Sequence, residues 1–287
     1  MIQGKFKILS QQKAGPECFK MSIFAPAIAR CACPGQFVHL RCQEGPEPLL
    51  RRPLSFHRIY QDKFEVLYRI AGRGTALLAK KQEGDTIDVI GPLGKGFVFP
   101  STVHREPQTA NRKPQTAILV AGGMGAAPLL ALAEALAGGK NALPDEQEII
   151  ILLGAKTKTE LLCEKTFKEL GCDVRVATDD GTKGHKGFVT ELFKEVLQST
   201  INNIRTGDKP VPAIIYACGP HPMLKEVARI SMKFDVPAQG ALEEKMACGV
   251  GACLGCVVET SQGYQRVCKD GPVFDLSEIK WDTETRE

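Results

Sequence analysis

The sequence lacks any region where charge of one sign is gathered. Its 37 Lys and Arg exceed its 33 Asp and Glu by four over 287 residues, and the basic residues are spread along the chain. The electrostatic footprint of a nucleic-acid or anionic-membrane binder is missing. There is no uninterrupted apolar run of membrane-spanning length. The most hydrophobic stretch, Ala117 to Ala137, contains Gly122, Gly123, Gly125, Pro128 and Glu134, and reads as a buried strand, a glycine turn and a packed helix. Nor does the chain open on an apolar leader, since Met1-Ile2-Gln3-Gly4-Lys5-Phe6-Lys7 enters an alternating, strand-like pattern directly. Internal repeats are missing too. A cytoplasmic protein, with neither membrane nor nucleic acid as partner, is the expectation.

What is present is the balance of a globular chain: 43% apolar residues before 28 glycines are added, and 24% charged. The length allows two or three domains. Eleven cysteines is a high and odd count, and with no export signal a disulfide framework is not expected, so clustering must be explained by metal or redox chemistry. Four cysteines gather near the C-terminus, and the rest are scattered. Cys31 and Cys33 flank one residue, which on a strand puts both on one face as small core residues.

Residues 1–100 carry short alternating segments, Lys5 to Leu9, Lys20 to Ile23, Gln36 to Leu40, Lys63 to Arg69 and Thr86 to Ile90, divided by turns such as Pro34-Gly35 and Gly84-Asp85. This is the pattern of a small antiparallel barrel or sandwich, with one helix expected over Thr75 to Lys81. Residues 101–115 are polar, contain Pro107 and Pro114, and read as a linker or exposed loop. Over 116–240 the rhythm becomes strand, turn and helix, with helices expected over Ala126 to Leu136, Thr159 to Leu170, Phe188 to Leu197 and Met223 to Met232. Such alternation predicts a doubly wound α/β domain. Residues 241–287 form a short cysteine-bearing segment.

Within that segment Cys248, Cys253, Cys256 and Cys268 have four, two and eleven residues between them. The first three match the plant-type spacing for a [2Fe-2S] cluster, in which a glycine-rich loop wraps the inorganic sulfides. Gly249, Gly251 and Gly255 supply the conformational freedom. The competing reading is structural zinc, which prefers two Cys-x-x-Cys knuckles to one loop with three ligands. The fourth cysteine follows a strand pair, Cys256 to Thr260 and Tyr264 to Val267.

Three further motifs suggest nucleotide chemistry. In Arg51-Arg52-Pro53-Leu54-Ser55 an arginine suits a diphosphate and a serine a ring nitrogen; the plainer reading is a surface arginine pair leading into a strand. Leu67-Tyr68-Arg69 followed by Gly72-Arg73-Gly74-Thr75 ends a strand and opens a helix whose free amides suit phosphate oxygens, or equally a tight turn with Thr75 as helix N-cap. Gly122-Gly123-Met124-Gly125, then Pro128 in the first helical turn, receives a dinucleotide diphosphate in spirit, although it is not the G-x-G-x-x-G fingerprint. Tyr216-Ala217-Cys218-Gly219-Pro220 ends another strand at the edge where α/β sheets bind ligands, where Cys218 also reads as a buried small residue.

Together these motifs resemble the ferredoxin reductase superfamily over the whole chain. The runs from Leu242 to Gly249 and from Arg266 to Phe274, with those around Arg52, Tyr68 and Thr75, are similar to the electron-transfer subunits of NAD-dependent dihydroorotate dehydrogenases. The resemblance implies an N-terminal β-barrel, a doubly wound α/β nucleotide-binding domain and a small C-terminal [2Fe-2S] segment. It implies FAD between barrel and α/β domain, with Arg52 on its diphosphate, Ser55 near flavin N5, and Gly74 and Thr75 at the phosphates. Pro53, Leu54, Leu67, Tyr68 and Arg69 would complete that site. Many superfamily members have tyrosine where Leu54 stands, which leaves flavin stacking to apolar packing and Tyr68. NAD would approach Gly122, Gly123 and Gly125, with Cys218 and Gly219 near the nicotinamide. Ser55 and Cys218 are thus positional candidates at the reacting rings, and no acid or base is nominated.

The implied partner is an FMN-containing catalytic subunit that oxidises dihydroorotate in pyrimidine biosynthesis, in a heterotetramer of two catalytic and two electron-transfer chains, with Leu254 and Phe274 as candidate contacts. Two other readings stay open: a related flavin and iron–sulfur reductase subunit of the sulfide dehydrogenase or ferredoxin-linked transhydrogenase type, and a zinc-stabilised scaffold.

Overall fold

The computed structural model describes residues 1–99, 116–138, 148–204 and 213–281; the expected linker over 101–115 lies outside them. The described chain forms two compact units. One comprises Met1–Phe97, Ala241–Phe274 and Glu278–Glu287, the other Val98–Gly240 with Asp275–Ser277.

The first unit is built on a closed antiparallel barrel. Its strands are β1 (Ile2–Gly15), β2 (Cys18–Phe24), β3 (Phe37–Leu40), β4 (Arg52–Ile59), β5 (Lys63–Arg69) and β6 (Thr86–Leu93), in the order β1-β2-β5-β4-β3-β6. Closure leaves no edge strand to aggregate. The alternating pattern sends Ile8, Met21, Ile23, Val38, Leu40, Phe56, Phe64 and Val66 into one core, where Phe56 and Phe64 meet edge to face at 5.1 Å. Two short helices interrupt the strands, α1 (Pro26–Ala29) and α2 (Arg73–Leu78). Helix α2 starts two residues before the expected position and stops three early, because the amides of Lys80 and Lys81 bond three residues back and tighten the end.

Two local expectations are corrected. Cys31 and Cys33 are not strand residues facing a core. Proline at the start of α1 and Pro34-Gly35 after it confine them to a connecting turn, where both are exposed. The helix expected over 159–170 is mostly lost: a 3₁₀ turn covers Lys158–Glu160, Cys163 takes a left-handed φ of 63°, and only α4 (Glu164–Glu169) follows.

In the second unit, β7 (Thr116–Gly122), α3 (Ala126–Gly138), β8 (Glu148–Ala155), α4, β9 (Asp173–Thr178), β10 (His185–Lys186), α5 (Val189–Ile204), β11 (Ala213–Cys218), α6 (His221–Lys233) and β12 (Ala238–Ala241) wind in sequence. The sheet order is β10-β9-β8-β7-β11-β12-β15, with β15 (Val273–Asp275) contributed from the C-terminal segment. Strand order reverses between β7 and β11, which pair in parallel, so the glycine turn after β7 sits at a topological switch point, where such sheets bind ligands. Helix α3 is buried on nearly every side, which accounts for the hydrophobic run read in the sequence. Among the described residues no helix is long and apolar enough to cross a membrane.

The C-terminal segment holds the cysteine loop and a hairpin, β13 (Val257–Thr260) with β14 (Gly263–Arg266). It packs on the barrel: Lys95 bridges Pro272 and takes the Gly271 carbonyl at 2.5 Å.

Candidate functional site

The cysteine loop organises itself around its sulfurs. The amides of Val250 and Ala252 donate to Cys248 Sγ at 3.5 and 3.3 Å, and that of Gly251 donates to Cys268 Sγ at 3.1 Å. The Cys268 amide donates to Cys256 Sγ at 3.4 Å. Burial works against ionising Cys248, but the amides of Val250, Cys253 and Ala252 and the Cys253 thiol outweigh it and bring the thiol down to about 6. Burial, then the Cys256 thiol, pushes Cys268 up to about 12. One loop therefore turns its amides toward the sulfurs of Cys248 and Cys268, and Cys268 gives its own amide to Cys256. Among the described residues no three Cys, His, Asp or Glu side chains converge on one point. A single glycine-rich loop whose amides face cysteine sulfurs fits a [2Fe-2S] cluster better than one tetrahedral ion, and no disulfide links any of the eleven cysteines.

Gly249 and Gly251 adopt φ of 70° and 81°, as the sequence suggests, whereas Gly255 does not; the third left-handed residue is Leu254 at 57°. Leu254 is 60% exposed, and Val250, Val257 and Tyr264 are exposed on the same loop and hairpin. Phe274, the other candidate contact, is buried and so offers no docking surface. Arg266 clamps the loop's return: Asp270 accepts its backbone amide, Nε and Nη2 at 2.9, 2.8 and 3.2 Å, which holds the carboxyl down at about 2.

A residue that sequence reading missed lies beneath this loop. His39 on β3 is fully buried, and neither ring nitrogen meets a hydrogen-bond partner of full geometry. A Cβ on Gly249 would stand 2.5 Å from its Nδ1. Burial, then Arg51, lowers the imidazole to about 4, although the Cys248 backbone pulls the other way. A lone histidine between Val38 and Leu40 carries no spacing signal that could have marked it.

Strand β3 pairs with β4 so that Leu40, His39, Val38 and Phe37 stand opposite Arg52, Pro53, Leu54 and Ser55. The two adjacent arginines part company here. Arg51 is bound to Asp88 at 2.6 Å and to the Asp88 carbonyl, and is therefore a barrel strut. Arg52 instead lies over the start of α2, its Nε 2.5 Å from where a Cβ of Gly74 would be. Thr75 is not the N-cap, which is Gly72; its hydroxyl donates to the Gly72 carbonyl and accepts from the Ala71 amide. The fold thus brings Arg52, Gly74 and Thr75 together, a cation beside a helix start with no side chain in the way, which suits a phosphate. Leu67 and Tyr68 are buried, and the Tyr68 ring stacks on Phe19 while its hydroxyl accepts from Gln11 at 2.7 Å. Burial moves that hydroxyl up to about 12. Arg69 closes β5 beside it.

In the second unit the Gly-Gly-x-Gly turn meets the Cys-Gly-Pro turn. Cys218 pairs with Ala121, and any Cβ on Gly125 would run into the Cys218 carbonyl. Gly122 and Gly219 both abut Met223, and a Cβ on Gly219 would lie 3.0 Å from the Gly122 amide. Gly123, with positive φ, opens the 3₁₀ turn that leads into α3. Gly122, Gly125 and Gly219 thus let the two turns pack closely, Gly123 alone of the four faces open space, and Cys218 is buried between the turns.

A barrel with a phosphate-suited arginine and helix start, a glycine-turned α/β unit and a four-cysteine loop define a flavin and iron–sulfur reductase of the ferredoxin reductase type. Comparison with known proteins gives the particular family. Residues 243–280 match the iron-sulfur cluster binding domain of dihydroorotate dehydrogenase B, and residues 119–229 match the oxidoreductase NAD-binding domain. The chain is 40% identical over 282 residues to the dihydroorotate dehydrogenase B (NAD(+)) electron transfer subunit of Desulforamulus reducens, covering 96% of this chain and 97% of that one. It is 37% identical to the same subunit of Geobacillus thermodenitrificans at the same coverage. Among solved structures, an NADH-dependent reduced ferredoxin-NADP oxidoreductase superposes with a TM-score of 0.75 at 31% identity, over 96% of this chain and 90% of that one. A ferredoxin NADP+ reductase from Neisseria gonorrhoeae shares the fold, with a TM-score of 0.62 at 21% identity over 80% and 91% of the two chains. This chain belongs to the family of dihydroorotate dehydrogenase B electron transfer subunits, oxidoreductase subunits that work with a catalytic partner.

Proposed function

We propose that this chain links the FMN of a dihydroorotate-oxidising catalytic subunit, by way of a [2Fe-2S] cluster and FAD, to NAD, in pyrimidine biosynthesis. Nicotinamide takes a hydride, an iron–sulfur cluster takes electrons singly and a flavin does both, so FAD is the necessary converter. The observation that carries the reading is the set of loop amides given to the sulfurs of Cys248, Cys256 and Cys268, within the same compact unit as the Arg52–Gly74 cradle.

The residues divide the work. The four cysteines hold the cluster, and the amides of Val250, Gly251 and Ala252 temper charge on its sulfurs. Arg52, Gly74 and Thr75 receive the FAD diphosphate, while Pro53, Leu54, Ser55, Leu67, Tyr68 and Arg69 shape the flavin site, with Ser55 at N5. Gly122, Gly123, Gly125 and Gly219 form the turns that NAD approaches, Gly123 facing open space, with Cys218 near the nicotinamide. These assignments follow a division into barrel (1–100), linker (101–115), nucleotide domain (116–240) and cluster segment (241–287). The exposed Val250, Leu254, Val257 and Tyr264 form the face offered to the catalytic subunit, in a cytoplasmic heterotetramer of two and two.

Coexpression with the FMN subunit tests this. The complex is expected to convert dihydroorotate and NAD to orotate and NADH; an assembled complex that instead reduces ferredoxin or polysulfide overturns it. That second outcome is the one favoured by the likeness to the ferredoxin-NADP oxidoreductase at 31% identity. A colourless protein holding zinc overturns both.

A further inference from the structure

His39 is where the cysteine loop and the flavin strand meet inside one compact unit. On one side it pairs with Pro53 and on the other with Ile90, while Gly249 presses on Nδ1 from the loop. Phe37 meets its ring edge-on at 6.3 Å. Its neighbours Val38 and Leu40 point to the opposite face, into the barrel core, so His39 stands on the face turned away from that core. A buried imidazole with two unpartnered nitrogens is costly unless something it faces makes use of them. What it faces is the backbone of Cys248 and Gly249.

We propose that His39 is a positioning residue for the iron–sulfur site: an imidazole N–H given to the cysteine loop at Cys248 fixes that loop on the strand paired with the flavin strand. This deepens, and rests on, the proposed function. The chain of contacts is short. Cys248 Sγ takes the amides of Val250 and Ala252, so the set of the Cys248–Gly249 peptide governs how those amides point. Hydrogen bonds to cluster sulfurs set reduction potential, and partners behind a ligand fix its orientation. A side chain of the right volume without a donor would fill the space but leave the loop unfixed.

The experiment is an anaerobic redox titration of the purified holoprotein, followed by electron paramagnetic resonance, with His39→Leu and His39→Gln alongside the natural sequence. The expected result is a lower midpoint potential and an altered signal in His39→Leu at unchanged FAD content, with His39→Gln, which keeps an N–H donor, returning most of the way. A natural potential and signal in His39→Leu overturns the proposal. If His39→Leu loses iron altogether, the glutamine variant decides: recovered iron and signal support the role, and equal loss in both overturns it by showing that only shape matters. Natural protein lacking both iron and FAD would instead remove the functional reading beneath it.

Discussion

Arg52 lies across Gly74, its Nε 2.5 Å from the place a β-carbon on that glycine would occupy. Arg51, one residue earlier, is spent on Asp88 instead. Replacing Arg52 by Ala is therefore expected to weaken FAD retention by roughly 10- to 100-fold, the worth of one or two charge-assisted hydrogen bonds. Arg51→Ala should leave flavin affinity near its natural value and lower stability. Flavin fluorescence on dilution, read beside a urea titration, separates the two; equal flavin loss in both would contradict the assignment.

At the nucleotide edge, Gly125→Ala drives a methyl group into the Cys218 carbonyl. Backbone is on both sides, so no side chain can swing away, and a loss of about 1–3 kcal/mol is expected. The urea midpoint should fall, and NADH oxidation with an artificial acceptor should fall with it. An unchanged midpoint would mean that the two turns are not packed together.

Cys268→Ser removes a partner of Cys256 but touches nothing on the flavin strand. The expected protein still binds FAD and is bleached by NADH, yet shows no iron–sulfur resonance and passes no electrons to or from the catalytic subunit. Loss of FAD bleaching along with the iron would show that the two centres cannot be separated.

Asp270 is held near a pKa of about 2 by Arg266. A carboxylate depressed in the folded state contributes stability above its unfolded pKa, near 4, and loses that contribution as pH falls through the folded value. Asp270→Asn should accordingly destabilise the cysteine segment at neutral pH, by about 1–3 kcal/mol. The gap from the natural protein should narrow between pH 4 and 2, as followed by acid titration of cluster absorbance. A gap that widens toward low pH reverses the sign and defeats the argument.

Leu254 combines exposure with a left-handed backbone, which is strained for a residue with a β-carbon. Leu254→Gly is expected to stabilise the chain by about 1 kcal/mol while weakening assembly with the catalytic subunit tenfold or more, the loss typical of a central apolar anchor. Sedimentation of the mixed subunits checks it, and undiminished assembly would place the docking face elsewhere.

The local periodicities were readable because each depends on neighbours in sequence: the alternation of β1, β2, β3, β5 and β6, the glycine turn of β7, the spacing from Cys248 to Cys256. What was not readable depends on partners far along the chain. Nothing in Arg51-Arg52 says which guanidinium Asp88 will claim, and nothing near His39 announces that Gly249 will settle upon it. Phe274 reads in the sequence as a candidate contact, and only the fold shows Gly271 turning back over its ring. Leu254 carries a conformation usually left to glycine, which no propensity would assign to it.

The barrel unit takes its residues from three stretches, Met1–Phe97, Ala241–Phe274 and Glu278–Glu287, with most of the nucleotide unit, Val98–Gly240, between the first two. During translation the six barrel strands, all complete by Leu93, therefore leave the ribosome before the cysteine loop, which follows roughly ten seconds later at common elongation rates. The barrel has the earlier opportunity to close, the nucleotide sheet gains its last strand, β15, only at the end, and iron delivery to this chain is a late event in its biogenesis.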